Sequence, residues 1–180
     1  IFSEYYGFRE SGYDIEYTAT EITPKYVEYG KEKGINVVQC FAEEMPFEDD
    51  SFECCFCFDV LNHQIEYEKS IKEILRVTKN VVMISFFKPF EEEVTVNEDL
   101  SQDTYATEKT PHGLLERRMV IDGKTVGLYS FFNLTKLKKF LDSLDVVYAI
   151  GETPDKKRVL RLEKTRIEKD STILCNTKEK

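Results

Sequence analysis

The chain has 180 residues, 41% hydrophobic and 33% charged, with a formal net charge of -9. That length suits one domain with a sizeable core and the composition excludes a disordered chain, while no apolar run approaches the roughly 18 residues that cross a bilayer. The acidic balance argues against nucleic-acid binding, which draws on clustered Lys and Arg, and leaves small molecules as the expected partners.

Along the chain, Phe2 to Glu10 is compatible with a helix weakened at Gly7, and Ser11-Gly12-Tyr13-Asp14 breaks it. Ile15 to Thr20 alternates as a strand. Thr23 and Pro24 stand where an N-cap and a first-turn proline belong, Tyr26, Val27 and Gly30 share one helix face, and Gly34 supplies the stop. Ile35 to Phe41 is rich in β-branched residues and predicts the next strand. An acidic loop with room for one helical turn leads to Phe52–Phe58, an apolar run of the type that a parallel strand buried on both faces requires. Tyr67, Ile71, Ile74 and Leu75 place an amphipathic helix over Tyr67 to Thr78, and Val81 to Phe87 is another apolar strand. The alternation predicts an α/β fold: a doubly wound, Rossmann-like, mostly parallel sheet with right-handed crossovers.

After Pro89 the pattern weakens, and Glu91 to Thr110, acidic and without period, reads as an irregular connection. Glu116 to Ile121 and Lys124 to Phe131 flank Asp122-Gly123, a tight-hairpin pair. Leu134, Leu137, Phe140, Leu141 and Leu144 mark a helix whose Lys136, Lys138 and Lys139 face water; Asn133 reads as its cap rather than as a glycosylation acceptor. Val146 to Ile150, Arg158 to Leu162 and Ser171 to Asn176 are strand candidates, two of which close the sheet as an antiparallel pair. The basic group Lys156, Lys157, Arg158 and Arg161 has acids beside it and reads as a solvated face. No repeat or second domain emerges, so residues 1–180 read as one domain.

Three of the five cysteines, Cys54, Cys55 and Cys57, lie in one strand-like run, with no Cys/His spacing for a metal. They read as small buried hydrophobes of a reducing compartment, which predicts a cytoplasmic location. No signal peptide is visible.

Ligands of open α/β sheets bind beyond the carboxyl ends of the strands. At such an end Glu21 can accept both hydroxyls of a ribose; its structural alternative is an acid favoured by the following helix dipole. The next strand ends at Phe41-Ala42-Glu43, ahead of Glu44-Met45-Pro46-Phe47, and the third at Phe58-Asp59-Val60-Leu61-Asn62-His63. Taken together, IEYTATE, INVVQCF, AEEMPFEDDSFECCFCFDVLNHQ and KEILRVTKNVVMISFF, spanning residues 15–87, resemble the middle of a class I S-adenosylmethionine-dependent methyltransferase of the small-molecule type. Residues 131–176 resemble it weakly.

The resemblance implies S-adenosylmethionine as cofactor and a small-molecule methyl acceptor. It puts Glu21 and Ile22 at the ribose, Phe41, Ala42 and Glu43 at the adenine, and Phe58, Asp59 and Val60 beneath the methionine part. Phe41 replaces the family's adenine-contacting aspartate, so packing against the ring substitutes for a polar contact. His63 is the candidate general base, with a structural histidine as the alternative. Glu73, Arg76 and Val77 match the family's helix and are read as packing and surface pairing, and Lys79-Asn80 alters the turn that follows. The acceptor pocket is expected in residues 88–132, where Tyr105, His112, Arg117, Arg118 and Tyr129 are polar candidates that read equally as surface or hairpin residues. The family's Gly-rich loop does not occur ahead of Ile15, and the first residue is Ile1 rather than Met, so the chain is expected to be N-terminally incomplete. In-line methyl transfer requires chiefly alignment of the acceptor, so no metal or Ser/His/Asp set is expected. Two rival readings remain: a non-catalytic methyltransferase-like binding or interaction protein with a degenerate cofactor site, and another kind of nucleotide-binding Rossmann domain.

Overall fold

The computed structural model describes residues 2–64, 66–86, 105–109, 115–121, 124–154 and 157–165, with backbone alone from 105 to 131. Helix α1 (Ser3–Glu10) leads to strand β1 (Thr18–Glu21), α2 (Pro24–Glu32) and β2 (Asn36–Gln39). Then follow β3 (Phe52–Phe58), a 3-10 turn (Leu61–His63), α3 (Tyr67–Val77) and β4 (Thr78–Phe86). The remainder comprises β5 (Tyr105–Lys109), β6 (Leu115–Ile121), β7 (Lys124–Phe131), α4 (Leu134–Asp142), β8 (Val146–Glu152) and β9 (Arg158–Lys164).

The fold is mixed α/β with parallel and antiparallel strands. β1 pairs parallel with β2, setting Glu21 opposite Gln39, and β3 pairs parallel with β4, setting Phe58 opposite Ser85. β9 runs antiparallel between β4 and β8, giving the order β3-β4-β9-β8. The closing antiparallel pair is thus β8 with β9; Ser171 to Asn176 lies outside the described residues. Among the described residues β1 and β3 are not hydrogen-bonded to each other, so the expected single sheet is in two parts. Helix α1 touches both, through Tyr5 against Tyr17 and Phe8 against Phe56.

Packing follows strand parity. Cys57 of β3, Val82, Ile84 and Phe86 of β4, and Leu160 and Leu162 of β9 form a buried face under Ile71 and Ile74 of α3 and Leu137 and Leu141 of α4. Tyr67 and Phe86 both stack edge-on against Phe132, with ring centroids 4.8 and 4.9 Å apart. A smaller cluster of Phe2, Ala19, Val27, Ile35 and Val37 joins α2 to the first two strands. There Gly30 lets α2 approach closely, since a Cβ on it would lie 2.5 Å from Val37 Cγ2.

The structure corrects several expectations. β3 is buried on one face only: Cys54, Phe56 and Phe58 are exposed, because α1 covers that face thinly, through Phe8 against Phe56. Cys54 is therefore not a core residue, whereas Cys57 is. The stretch read as irregular contains β5, which pairs antiparallel with β6; a polar strand at the margin of a small sheet needs no apolar alternation. The hairpin stands, with Ile121 opposite Lys124. Asn133 caps α4 by accepting a 3.0 Å bond from the Lys136 N–H. Of the basic group, Arg158 pairs with Glu152 and Arg161 with Glu163, but Lys157 turns to Asp59; Lys156 lies outside the described residues.

Candidate functional site at the carboxyl ends of the strands

Parallel pairing of β1 with β2 brings two of the predicted segments together. The Cys40 N–H donates to the Glu21 carbonyl at 3.2 Å, and Gln39 Nε2 donates to the Ile22 carbonyl at 3.0 Å. Glu21 and Ile22 therefore stand beside the chain that turns through Phe41 and Ala42, a turn closed by the Glu44 N–H on the Phe41 carbonyl. One carboxylate oxygen of Glu21 accepts from the Thr23 N–H at 2.7 Å, ahead of α2. The helix-end role weighed for this acid is thus real, and it leaves the second oxygen available. Phe41 is 60% exposed and Ile22 52%, so this edge offers an uncovered aromatic ring and an apolar side chain next to a carboxylate.

The segment after Phe41 is held in place from behind by α3. Glu73 accepts from the Met45 N–H at 2.8 Å and from Nε and Nη2 of Arg76, also at 2.8 Å. Arg76 donates further to the carbonyls of Phe47 and Met45 and to the carboxylate of Asp49, at 2.8, 3.1 and 2.7 Å, while its own carbonyl accepts from the Asp50 N–H. A planar guanidinium supplies five N–H donors in fixed directions, which suits it to gripping a loop. Hydrogen bonding to Arg76 holds the Glu73 carboxyl below its ordinary range, against the opposing effect of burial. The pair expected from the sequence to serve packing and surface pairing does pair, and it also anchors the loop carrying Glu43 to Asp50. Spacing alone could not show this, because the partners lie about thirty residues upstream.

At the end of β3, Asp59 has φ 58, a left-handed conformation that a non-glycine residue adopts at a cost. Its N–H donates to the Ser85 carbonyl and Oγ, each at 3.1 Å; Ser85 Oγ donates to its Oδ1 at 2.9 Å, and Lys157 Nζ meets its Oδ2 at 2.5 Å. Ser85 is buried and Lys157 part-exposed, and neither was singled out from the sequence as a site residue. Phe58 and Val60 flank Asp59 with exposed side chains. His63 ends the 3-10 turn and is exposed, in an element separate from the edge formed by Glu21 and Phe41. Of the acceptor-pocket candidates, Tyr105, Arg117, Arg118 and Tyr129 fall on β5, β6 and β7, and His112 lies outside the described residues. Among the described residues no cluster of His, Cys, Asp and Glu could hold a metal ion, and no helix is long and apolar enough to cross a membrane.

Residues 3–85 match the model of the family described as "Methyltransferase domain". The PH0226 protein of Pyrococcus horikoshii has a similar structure, with 15% identity over 88% of this chain and 76% of that one and a TM-score of 0.60. An S-adenosylmethionine dependent methyltransferase from Mesorhizobium loti aligns over 91% of this chain and 87% of its own, with 8% identity and a TM-score of 0.61. The 1,6-didemethyltoxoflavin-N1-methyltransferase of Burkholderia thailandensis, solved with S-adenosylhomocysteine bound, aligns over 91% and 67%, with 17% identity and a TM-score of 0.58. No curated protein matches the sequence. The family match covers a little under half of the chain, and the mixed α/β fold is shared over most of its length with solved S-adenosylmethionine-dependent methyltransferases.

Proposed function

We propose that the protein is an S-adenosylmethionine-dependent methyltransferase that passes a methyl group in line to a small-molecule acceptor. The observation that carries this reading is the joining of Glu21 to the Phe41 turn at the carboxyl edge of β1 and β2, within the segment that matches the family. The donor set suits an adenosine: a carboxylate oxygen for the ribose hydroxyls, the open face of Phe41 for the base, and the Ala42 N–H with Glu43 for its polar edge. S-adenosylmethionine would supply the methyl group on an already activated sulfonium leaving group. In this reading Ile22 packs against the adenosine, the backbone of Phe58, Asp59 and Val60 lies beneath the methionine part, and His63 accepts a proton from acceptors that must lose one. Residues 88–132 would bound the acceptor, as part of a single domain over residues 1–180. The exposed free thiol of Cys54 suits a cytoplasmic setting.

Isothermal titration of the protein with S-adenosylhomocysteine tests the reading. Saturable binding that weakens in Glu21→Ala supports it. No heat and no thermal shift at millimolar ligand would favour a methyltransferase-like binding protein instead.

A further inference from the structure

We propose that Lys157 and Ser85 are positioning residues that together lock Asp59 in its left-handed turn and so fix the backbone of Phe58–Val60 at the site edge. The consequence for cofactor binding rests on the function proposed above; the lock itself does not. A non-glycine residue at φ 58 persists where its surroundings over-determine it, and here the N–H and both carboxylate oxygens of Asp59 are engaged. Ser85 contributes from a buried position on β4, where Phe58 and Ser85 are the last paired residues of the β3–β4 ladder. Asp59 continues that ladder by one further bond, into the Ser85 carbonyl.

Lys157 arrives from 98 residues away, and its approach is itself built. Its N–H donates to Thr153 Oγ1 at 3.0 Å and its carbonyl accepts from the Thr153 N–H at 2.9 Å, closing the β8–β9 connection just before Arg158 starts β9. Since β9 runs antiparallel to β4, its first residues fall beside the carboxyl end of β4, opposite Ser85 and Phe86. The topology therefore delivers an ammonium to the one residue of the third segment whose backbone is strained. A cation placed for solvation alone would have no reason to meet a carboxylate that is already hydrogen-bonded to a buried serine.

The test measures amide hydrogen exchange at Asp59 together with S-adenosylhomocysteine affinity, in the full chain. Ser85→Ala removes two contacts from a buried site and should speed Asp59 exchange tenfold or more. Lys157→Met removes one part-exposed ion pair and should speed it about two- to fivefold, with Lys157→Arg restoring the wild-type rate. In an Asp59→Asn background, Lys157→Met should add nothing. Affinity should weaken in the same rank order, while melting temperatures of the Lys157 variants stay near wild type. Unchanged exchange in Lys157→Met, or an equal effect of that change with and without the Asp59 carboxylate, overturns the lock. Wild-type protein that binds no ligand, with the exchange pattern as expected, overturns the proposed function and leaves the lock standing.

Discussion

Replacing Phe41 by alanine separates a binding role for this ring from a structural one. The ring is 60% exposed, so it has already forgone most of the gain from burial. A fully buried phenylalanine contributes about 1.5–3 kcal/mol, so truncating this one should cost the fold only about 1 kcal/mol. For a chain of this size that corresponds to roughly 2–4 °C in Tm. An adenine stacked on the ring would lose about 1–3 kcal/mol, so the Kd for S-adenosylhomocysteine should rise between about fivefold and 150-fold. Titration calorimetry gives the Kd and differential scanning calorimetry the Tm, with Phe41→Tyr as the control that keeps an aromatic face and should bind near wild type. If Phe41→Ala binds within twofold of wild type, the base does not lie on this ring and the adenine assignment is wrong. If Tm falls by more than about 10 °C, the ring is a fold element and the exposure argument fails.

Arg76→Leu should release the Met45 to Asp50 loop while leaving α3 in place, read as a new limited-proteolysis site between Met45 and Asp50 and a weaker S-adenosylhomocysteine Kd. Because the Glu73 carboxyl is held below its ordinary value of 4.5, its contribution to stability is complete above that pH. It is lost as pH falls through the lowered folded value, so wild type and Glu73→Gln should differ in Tm near neutrality and converge in acid. Gly30→Ala should lower stability by about 1–3 kcal/mol in urea unfolding, since a Cβ there meets Val37 at 2.5 Å and the ring of Phe2 at 2.8 Å; at an open helical position the same change would stabilise. In the folded protein maleimide should label Cys54 quickly and leave Cys57 untouched, because burial pushes the Cys57 thiol up to about 12; labelling at equal rates, followed by mass spectrometry, would refute this.

Much of the architecture was legible because its determinants are local. The apolar run of Phe52–Phe58 and the spacing of Tyr67, Ile71 and Ile74 are short-range signals, and β3 and α3 fall where they point. Thr23 and Pro24 before α2 and Asn133 before α4 fixed helix starts for the same reason. What could not be read depends on partners distant in the chain. The outer face of β3 is apolar in sequence and exposed in space, which no periodicity distinguishes from a strand covered on both sides. β5 has no apolar rhythm to betray it. At the site, Glu21 and the Phe41 turn were readable as strand ends, but Arg76 as a loop anchor and Lys157 beside Asp59 depend on how β4, β8 and β9 are ordered.

The uncovered side of β3 has a practical corollary. Cys54 to Phe58 is an uncharged, Pro-free stretch of two phenylalanines and three thiols, and its outward edge has no hydrogen-bonded neighbour among the described residues. Such a ribbon is a template for another copy of itself, so concentrated stocks should lose material through self-association that begins there, sooner without reductant as surface thiols become cross-linked. A lysine in place of Phe56 would be the economical cure, placing a repelling charge in mid-ribbon at the cost of its ring contacts with Phe8 and Phe58.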